Sequence, residues 1–169
     1  MNPVIETERL ILRRPKAQDL DSYLNFITSE RAQYVGRERS RFDGWKCFSA
    51  EAGHWDLNGF GPWAVTVKGS DSSVGQIGVW HPEGFPEREL GWLIWEGAEG
   101  KGIAFEAAEA ARDHDYQVYG TKTLVSYIDP GNARSIRLAE RLGAVLDTEA
   151  APLDPGGLVY RHTAPGEAS

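Results

Sequence analysis

The sequence predicts an α/β fold in which a mixed β-sheet carries helices on both faces. Two observations lead to this prediction. Strand-like segments at residues 63–67 and 74–80 are separated by a short turn rich in glycine and serine, which is typical of an antiparallel hairpin. From Glu89 to His162, strand-like and helix-like segments then alternate, which is typical of a sheet whose strands are connected by helices.

The segments before the hairpin predict one strand and two helices. Residues 9–14 alternate around two leucines, which indicates a strand. Apolar residues recur at three- and four-residue steps over 17–28 and 43–57, which predicts two amphipathic helices. Asn58-Gly59 is a typical end for the second helix. The charged segment 29–42 between the helices is predicted to be irregular.

A strand, a glycine-rich turn and a helix form the central unit of the chain. Residues 89–95 are short, apolar and aromatic, which predicts a buried strand. Residues 96–100 break this pattern as a turn, and the alanine- and glutamate-rich run over 101–119 predicts an amphipathic helix. The unpaired amides at the start of a helix, together with the helix dipole, favour an anion.

The glycines of this turn do not complete a common nucleotide-binding fingerprint. Gly100 and Gly102 would let a phosphate oxygen approach the backbone closely, and Lys101 adds a positive charge. The dinucleotide pattern requires glycine where Phe105 stands, and the P-loop pattern requires serine or threonine where Gly102 follows Lys101. The turn therefore indicates an anion site of another kind, or only glycines that delimit a helix.

The last third of the chain predicts a strand, a helix and a final pair of short strands. Residues 123–128 have the composition of a buried strand. Asn132 is placed to cap a helix over 133–142. The segments 144–146 and 158–162 are predicted to be strands joined by a loose connection.

Composition and charge favour a single cytoplasmic domain, residues 1–169. That length is enough for one hydrophobic core. The formal net charge is −7 and no basic run exceeds Arg13-Arg14, so neither nucleic acid nor an anionic membrane is expected as a partner. No apolar run approaches the roughly 20 residues of a membrane helix, and the N-terminus lacks the regions of a signal peptide. We expect a monomer or a homodimer.

Cysteine and histidine residues predict neither an internal disulfide nor a metal site. Cys47 is the only cysteine, so no internal disulfide can form. The four histidines are scattered without the spacing of metal ligands, and we expect no bound metal.

Three stretches of the chain together resemble one protein family. They are TERLILRRPKAQDLDSYL, ELGWLIWEGAEGKGIAFEA and IDPGNARSIRLAERLGA. In order and spacing these stretches resemble the GNAT acyltransferase superfamily, specifically its RimJ/RimL-type N-acetyltransferases, over about residues 5–163. The resemblance implies a mixed, mostly antiparallel sheet of six to seven strands, splayed at its centre, with about four helices on both faces. It also implies acetyl-CoA as the cofactor and a primary amine, of a small molecule or a protein N-terminus, as the acceptor.

The resemblance implies a cofactor site in a slot between the strands 90–94 and 123–128. Backbone groups of the first strand would bind the pantetheine arm and the thioester oxygen, and the amides of the glycine-rich turn would bind the pyrophosphate. The expected cofactor-binding residues are Trp92, Leu93, Ile94, Glu99, Gly100, Lys101, Gly102, Ile103, Ala104, Asn132, Ser135 and Arg137. The family has Gln or Arg where Glu99 stands, and an inward-facing carboxylate would repel pyrophosphate. Asn132 can serve as a helix cap, as a cofactor contact, or as both.

Acetyl transfer requires a group that takes a proton from the amine and a group that gives one to the thiolate. Glu89 is the candidate base, although it could instead be a solvated carboxylate at the strand end. The resemblance implies that Ser135 is the acid, although it could instead be a serine that bonds backbone at the helix start. Asp154 is a weaker candidate base, and Tyr127 is a rival acid.

Two further expectations concern charge. Glu87 and Glu89 have the same parity on a strand, so their mutual repulsion is expected to raise the pKa of one of them. The acidic composition and the loops 29–42 and 81–86 are compatible with a cationic acceptor.

Two other classes of function stay open at the level of the sequence. A catalytically silent acyl-CoA-binding or sensor module would keep the glycine-rich turn and make no use of Glu89 or Ser135. A small nucleotide-binding α/β domain would prefer ATP or NAD to coenzyme A, and the incomplete fingerprints disfavour it.

Overall fold

Eight strands and four α-helices form the described part of the chain, residues 3–35 and 40–166 of a computed structural model. The strands are β1 Val4–Glu6, β2 Leu10–Arg13, β3 Pro62–Val67, β4 Ser73–Trp80, β5 Glu89–Ile94, β6 Leu124–Ile128, β7 Val145–Leu146 and β8 Leu158–His162. The α-helices are α1 Leu20–Ile27, α2 Arg41–Asn58, α3 Ile103–Val118 and α4 Ala133–Arg141, and short 3₁₀ turns at Ala17–Asp19 and Glu30–Ala32 flank α1.

The strands form one sheet in the order β1-β2-β3-β4-β5-β6-β8-β7. Neighbouring strands are antiparallel except β5 and β6, which run parallel. The prediction of a mixed and mostly antiparallel sheet is therefore confirmed. The strand count exceeds the predicted six to seven because β1 was not predicted. It spans only three residues, which are too few to show an alternating pattern.

Helices α2 and α3 begin at other residues than predicted, for local reasons. Helix α2 begins at Arg41 rather than at Asp43, because the hydroxyl of Ser40 caps it by accepting the Asp43 N–H at 3.1 Å. Helix α3 begins at Ile103, because Gly102 has a φ of 75° and cannot belong to a right-handed helix. Of the irregular segment predicted over 29–42, residues 36–39 lie outside the described residues.

The two faces of the sheet carry separate clusters of buried side chains. On one face α1 and α2 enclose a cluster that includes Tyr23, Phe48 and Trp95. On the other face α3 packs against the sheet with buried alanines such as Ala107 and Ala108. Alanine has almost no side chain, so this helix can lie close to the strands. The prediction of helices on both faces is confirmed.

Strand β5 lies at the centre of the sheet and has side chains on both faces. Leu93 packs on the cluster under α1 and α2, whereas Leu90 and Trp92 pack on the cluster under α3. Because successive side chains of a strand alternate, Glu89 and Gly91 face α1 and α2. Groups from the two sides of the sheet can therefore approach each other only along the edge of β5 that turns away from β4.

Two further findings concern membranes and metals. No helix in the described ranges is long and apolar enough to cross a membrane. Within those same ranges, no group of three or more His, Cys, Asp and Glu side chains has the geometry to hold a metal ion.

Candidate active site

The strands β5 and β6 separate immediately after they meet. Their only register pair is Glu89 with Val125, where the Val125 N–H donates to the Arg88 carbonyl at 3.0 Å. In a continuous parallel ladder the Leu90 carbonyl would next accept the N–H of Tyr127. It accepts the hydroxyl of Ser126 instead, at 2.6 Å. A side chain thus takes the place of a ladder bond, and the predicted splay at the centre of the sheet is confirmed.

Ser126 is held in this position by His162. Since the Ser126 hydroxyl donates to Leu90, the Nε2 of His162, which lies 2.9 Å from Ser126 Oγ, must be the donor between these two side chains. Burial lowers the pKa of His162 to about 4, and the positive charge of Arg112 lowers it further in the same direction. The imidazole is therefore neutral at pH 7. It fixes Ser126 at the vertex of the slot, which is the point where β5 and β6 separate.

The carboxyl group of Glu89 lies at the same vertex and is difficult to ionise. Burial raises its pKa to about 8, the facing N–H of Tyr127 opposes the rise, and the charge of Glu51 adds to it. The predicted repulsion by Glu87 is wrong as the cause. Arg161 donates to both oxygens of Glu87 at 2.9 Å, and this ion pair holds the pKa of Glu87 below its usual value. A carboxyl group with a pKa of about 8 suits a general base near neutral pH.

Glu51 is a second carboxylate on this face and was not predicted as a site residue. It belongs to α2, and one of its oxygens accepts the side-chain amide of Gln76. The other oxygen accepts the hydroxyl of Tyr23 at 3.2 Å. Gln76 is paired in register with Leu93, so it places Glu51 over the centre of β4 and β5. Nothing in the sequence separates Glu51 from a solvated helix glutamate, because the contact spans three elements that are distant in the chain.

On the other face, Ser135 and Trp92 connect α4 to β5. The side-chain oxygen of Asn132 accepts the Ser135 N–H at 3.2 Å, which confirms Asn132 as the cap of α4. The hydroxyl of Ser135 accepts the indole N–H of Trp92 at 3.0 Å. Because this hydroxyl accepts from Trp92, its own hydrogen is available to another group. Ser135 and Glu89 thus approach the slot from opposite faces of the sheet.

The backbone of β5 divides its polar groups between β4 and the slot. The Trp95 N–H donates to the Val74 carbonyl at 2.9 Å, so by strand alternation the groups of Leu93 also point to β4. The expectation that Leu93 has free backbone groups is therefore wrong, because this register directs them to β4. The groups of Trp92 and Ile94 point to the slot.

The turn between β5 and α3 exposes its backbone. Gly97, Gly100 and Gly102 have φ values of 82°, 70° and 75°, which only glycine adopts readily. No side chain caps the start of α3, so the amides of Ile103 and Ala104 in its first turn are left for another partner. The ammonium group of Lys101 donates to the Gly97 carbonyl at 2.7 Å. This arrangement fits an anion bound by backbone amides.

The side chain of Glu99 is turned toward Arg31. The two form an ion pair, and Arg31 also donates to the Ile94 carbonyl at 3.0 Å. The negative charge of Glu99, which departs from the family pattern, is therefore neutralised beside the turn.

Tyr34, three residues after Arg31, lies close to Gly131. A Cβ at Gly131 would come within 3.2 Å of the Tyr34 ring. The segment 30–35 thus contacts both the β5 side and the α4 side of the slot.

Three other candidates are exposed or half-buried. Arg137 is exposed on α4. Asp154 is exposed in the connection before β8, where its carbonyl accepts the Gly157 N–H at 3.0 Å. The side chain of Tyr127 is half-buried, and its hydroxyl oxygen accepts the Glu87 N–H at 3.1 Å. Tyr127 is thus engaged on the Glu87 side of the vertex.

Comparison with known proteins agrees with this architecture. Residues 9–145 match the model of the acetyltransferase (GNAT) domain family. An acetyltransferase from Agrobacterium tumefaciens strain C58 is similar in structure, with a TM-score of 0.92 and 40% identity over 96% of this chain and 95% of that one. The RimL ribosomal L7/L12 α-N-protein acetyltransferase has the same fold at 16% identity, with a TM-score of 0.75 over 96% of this chain and 94% of that one.

A shorter match exists to YkkB, an uncharacterised protein of Bacillus subtilis strain 168. The two are 32% identical over 83 residues, which is 48% of this chain and 48% of YkkB. The alignment thus spans about half the length of that curated relative. Since the family model covers most of the sequence, the chain belongs to the GNAT acetyltransferase family, whose members transfer acetyl groups.

Proposed function

We propose that this protein transfers the acetyl group of acetyl-CoA to a primary amine by direct attack of the amine. The observation that carries the proposal is the slot between β5 and β6, with a carboxyl group of raised pKa on one face and a serine hydroxyl on the other. A direct transfer needs these two groups on opposite sides of the thioester.

The residues present fit acetyl-CoA, which supplies an activated acetyl thioester when bound. The uncapped amides at the start of α3 and the open backbone at Gly100 suit a pyrophosphate. The slot-facing backbone of Trp92 suits an extended arm and the thioester oxygen, since a backbone N–H there would polarise the carbonyl.

The chain's own groups would then move two protons. The Glu89 carboxylate takes a proton from the incoming ammonium, which frees the amine lone pair for attack. The Ser135 hydroxyl donates its hydrogen toward the departing sulfur while its oxygen keeps the bond from Trp92. As the new C–N bond forms and the C–S bond breaks, the nitrogen loses its second surplus proton to solvent. Solvent also takes the proton from Glu89 and returns one to Ser135, so one proton is released in each transfer.

A catalytically silent acyl-CoA-binding module is the second candidate, because one observation favours it. The bond from Trp92 to Ser135 gives the serine a structural role that does not require catalysis. An amine-dependent assay separates the two functions. Release of coenzyme A thiol that requires an added amine supports the transferase, whereas acetyl-CoA binding by calorimetry without such release supports the silent module. Absence of binding at millimolar acetyl-CoA would contradict both.

A further inference from the structure

A groove lies between α2 and the loop that follows β4. Its lining includes Gly53, His54 and Leu57 of α2, with Trp80 and Phe85 opposite. The rings of Trp80 and Phe85 are 6.4 Å apart and perpendicular, and the His54 ring lies 5.0 Å from Trp80. Leu57 is 86% exposed. The groove therefore offers apolar and aromatic surface that is accessible from solvent.

The groove adjoins the candidate active site through Trp80, which is one of its lining residues. Trp80 is the register partner of Glu89 across β4 and β5, so the two side chains lie next to each other on the face of α1 and α2. Gly91 is the following residue of β5 on that face. A molecule in the groove can thus place an amine at Glu89 while the rest of it lies against Trp80.

Gly53 in the lining of the groove and Gly91 on the strand beside Glu89 leave space without a structural need for glycine. A Cβ at Gly53 or at Gly91 would have no other atom within 4 Å, and neither residue has a left-handed φ. Glycine weakens both helices and strands, so neither position is explained by local stability. Room for a ligand explains both.

The charges at the groove select against anions. Glu83 is in its lining and Glu89 is the register partner of Trp80, whereas no lysine or arginine is among its lining residues. The Nδ1 of His54 lies 2.7 Å from the Phe60 carbonyl and its Nε2 accepts the His81 N–H at 3.3 Å, so both ring nitrogens already have partners in the protein. A carboxylate bound here would find the charge of Glu83 and no lysine or arginine among the lining residues.

We propose that the acceptor is a primary amine that carries a bulky apolar or aromatic group and no carboxylate near the amine. The groove would hold the apolar group, and Glu89 would receive the ammonium. This inference rests on the proposed function and names the class of its acceptor. The same chemistry occurs in an arylalkylamine and in a peptide that begins with an aromatic residue.

The test compares matched acceptors by their kcat/KM in the thiol-release assay. We expect 2-phenylethylamine to exceed ethylamine by at least about 100-fold, since a single methylene in an apolar pocket is worth about 10–200-fold. Phenylalanine should be far poorer than phenylalanine amide, because the two differ only in a carboxylate that replaces the neutral amide. A peptide amide with N-terminal phenylalanine distinguishes a protein acceptor from a small-molecule acceptor. A preference for this peptide over 2-phenylethylamine assigns the groove to a protein N-terminus. The opposite preference assigns it to a small molecule.

Two variants test the groove itself. Gly53→Leu should lower kcat/KM for 2-phenylethylamine about 10-fold or more and leave ethylamine within about 2-fold. Ala110→Leu, which enlarges an α3 residue at a different groove, is the control. Leu57→Ala provides a second variant at an exposed position, with a smaller loss for the aromatic amine alone.

Three results would overturn the inference. They are equal use of ethylamine and 2-phenylethylamine, an equal loss for both amines in Gly53→Leu, and a preference for phenylalanine over its amide. Absence of thiol release with every amine, despite acetyl-CoA binding, would instead overturn the proposed function and the inference with it.

Discussion

At the scale of single residues, Glu89 shows how the position of a side chain sets its chemistry. A solvated glutamate is ionised at pH 7, but burial raises the pKa of Glu89 to about 8. The nearby Glu87 has the opposite shift because Arg161 neutralises it. Two glutamates of the same local sequence context therefore have opposite pKa shifts, because Glu87 has an arginine partner from a distant part of the chain and Glu89 is buried.

The first prediction concerns the Glu89→Gln variant. It should lower kcat about 10²–10⁴-fold at pH 7 while acetyl-CoA affinity is nearly kept, because a general base acts mainly on the chemical step. Wild-type activity should rise with pH until Glu89 is ionised near pH 8, and the deficit of the variant should shrink at higher pH, where more amine is already neutral. Initial rates from pH 6 to 10 measure both effects. An unchanged kcat at neutral pH would move the base to Asp154 or to water.

The buried carboxyl group of Glu89 also predicts that the stability of the protein depends on pH. Because the folded protein holds the Glu89 proton up to about pH 8 and the unfolded chain releases it near 4.5, Glu89 favours folding at low pH and this contribution is lost as pH rises toward 8. Glu89→Gln should therefore stabilise the protein relative to wild type at pH 9 more than at pH 5. Urea denaturation at the two pH values measures this difference. A difference of the opposite sign would show that the carboxyl group is not buried as described.

At the scale of elements, the separation of β5 from β6 depends on one serine. Ser126 satisfies the Leu90 carbonyl that the ladder leaves unpaired, and it also receives the bond from His162. We expect Ser126→Ala to lower the free energy of unfolding by about 1–3 kcal/mol, because two buried polar groups lose their partner. Ser72→Ala, on an exposed turn, is the matched control and should stay within about 0.5 kcal/mol of wild type. Equal effects of the two changes in urea denaturation would contradict the proposed vertex.

The start of α3 gives another prediction at this scale. Loss of Arg31 would leave the Glu99 charge unpaired beside the uncapped amides, where it would repel pyrophosphate. Arg31→Ala should therefore weaken acetyl-CoA binding about 30-fold or more, within the range of about 1.5–3 kcal/mol for a contact with a charged group. Glu99→Gln in the Arg31→Ala background should recover most of the loss.

A control and a truncated ligand make this double-variant experiment specific. Like Arg31→Ala, the variant Lys101→Ala removes one positive charge, in this case from the turn itself. It should cost only about 0.5–1.5 kcal/mol of acetyl-CoA binding free energy, since Lys101 is exposed. S-acetylpantetheine, which lacks the pyrophosphate, should bind Arg31→Ala and wild type alike in calorimetry. If Glu99→Gln recovers nothing, Arg31 acts through the Ile94 carbonyl or directly on the ligand.

At the scale of the whole molecule, net charge affects the encounter with the acceptor. The chain carries a formal net charge of −7, and the groove beside Glu89 adds no basic residue to its lining. A cationic amine should therefore be attracted at long range, and the attraction should weaken as salt screens it. We expect KM for the amine to rise several-fold between about 10 mM and 500 mM NaCl at constant pH, with little change in kcat. A neutral hydroxylamine-type acceptor is the control, and an equal salt effect on both acceptors would contradict the charge argument.

The sequence by itself determined the four α-helices of the described chain, seven of its eight strands and the order in which they occur. Periodicity separated helices from strands, Asn132 marked the start of α4, and the glycines around Lys101 marked an uncapped helix start beside the central strand. These signals are local, so a single chain displays them. The three motifs also placed the chain in its family, which the match over residues 9–145 confirms.

Only the tertiary structure decided which side chains meet. Glu51 with Gln76, Arg31 with Glu99, and Glu87 with Arg161 join residues that lie far apart in the sequence, and no local pattern encodes such contacts. Register likewise decided that the backbone of Leu93 points to β4, because hydrogen-bond direction alternates along a strand and depends on the partner strand. The pKa of Glu89 belongs to the same category, since burial is a property of the packed chain and not of a glutamate within its own segment.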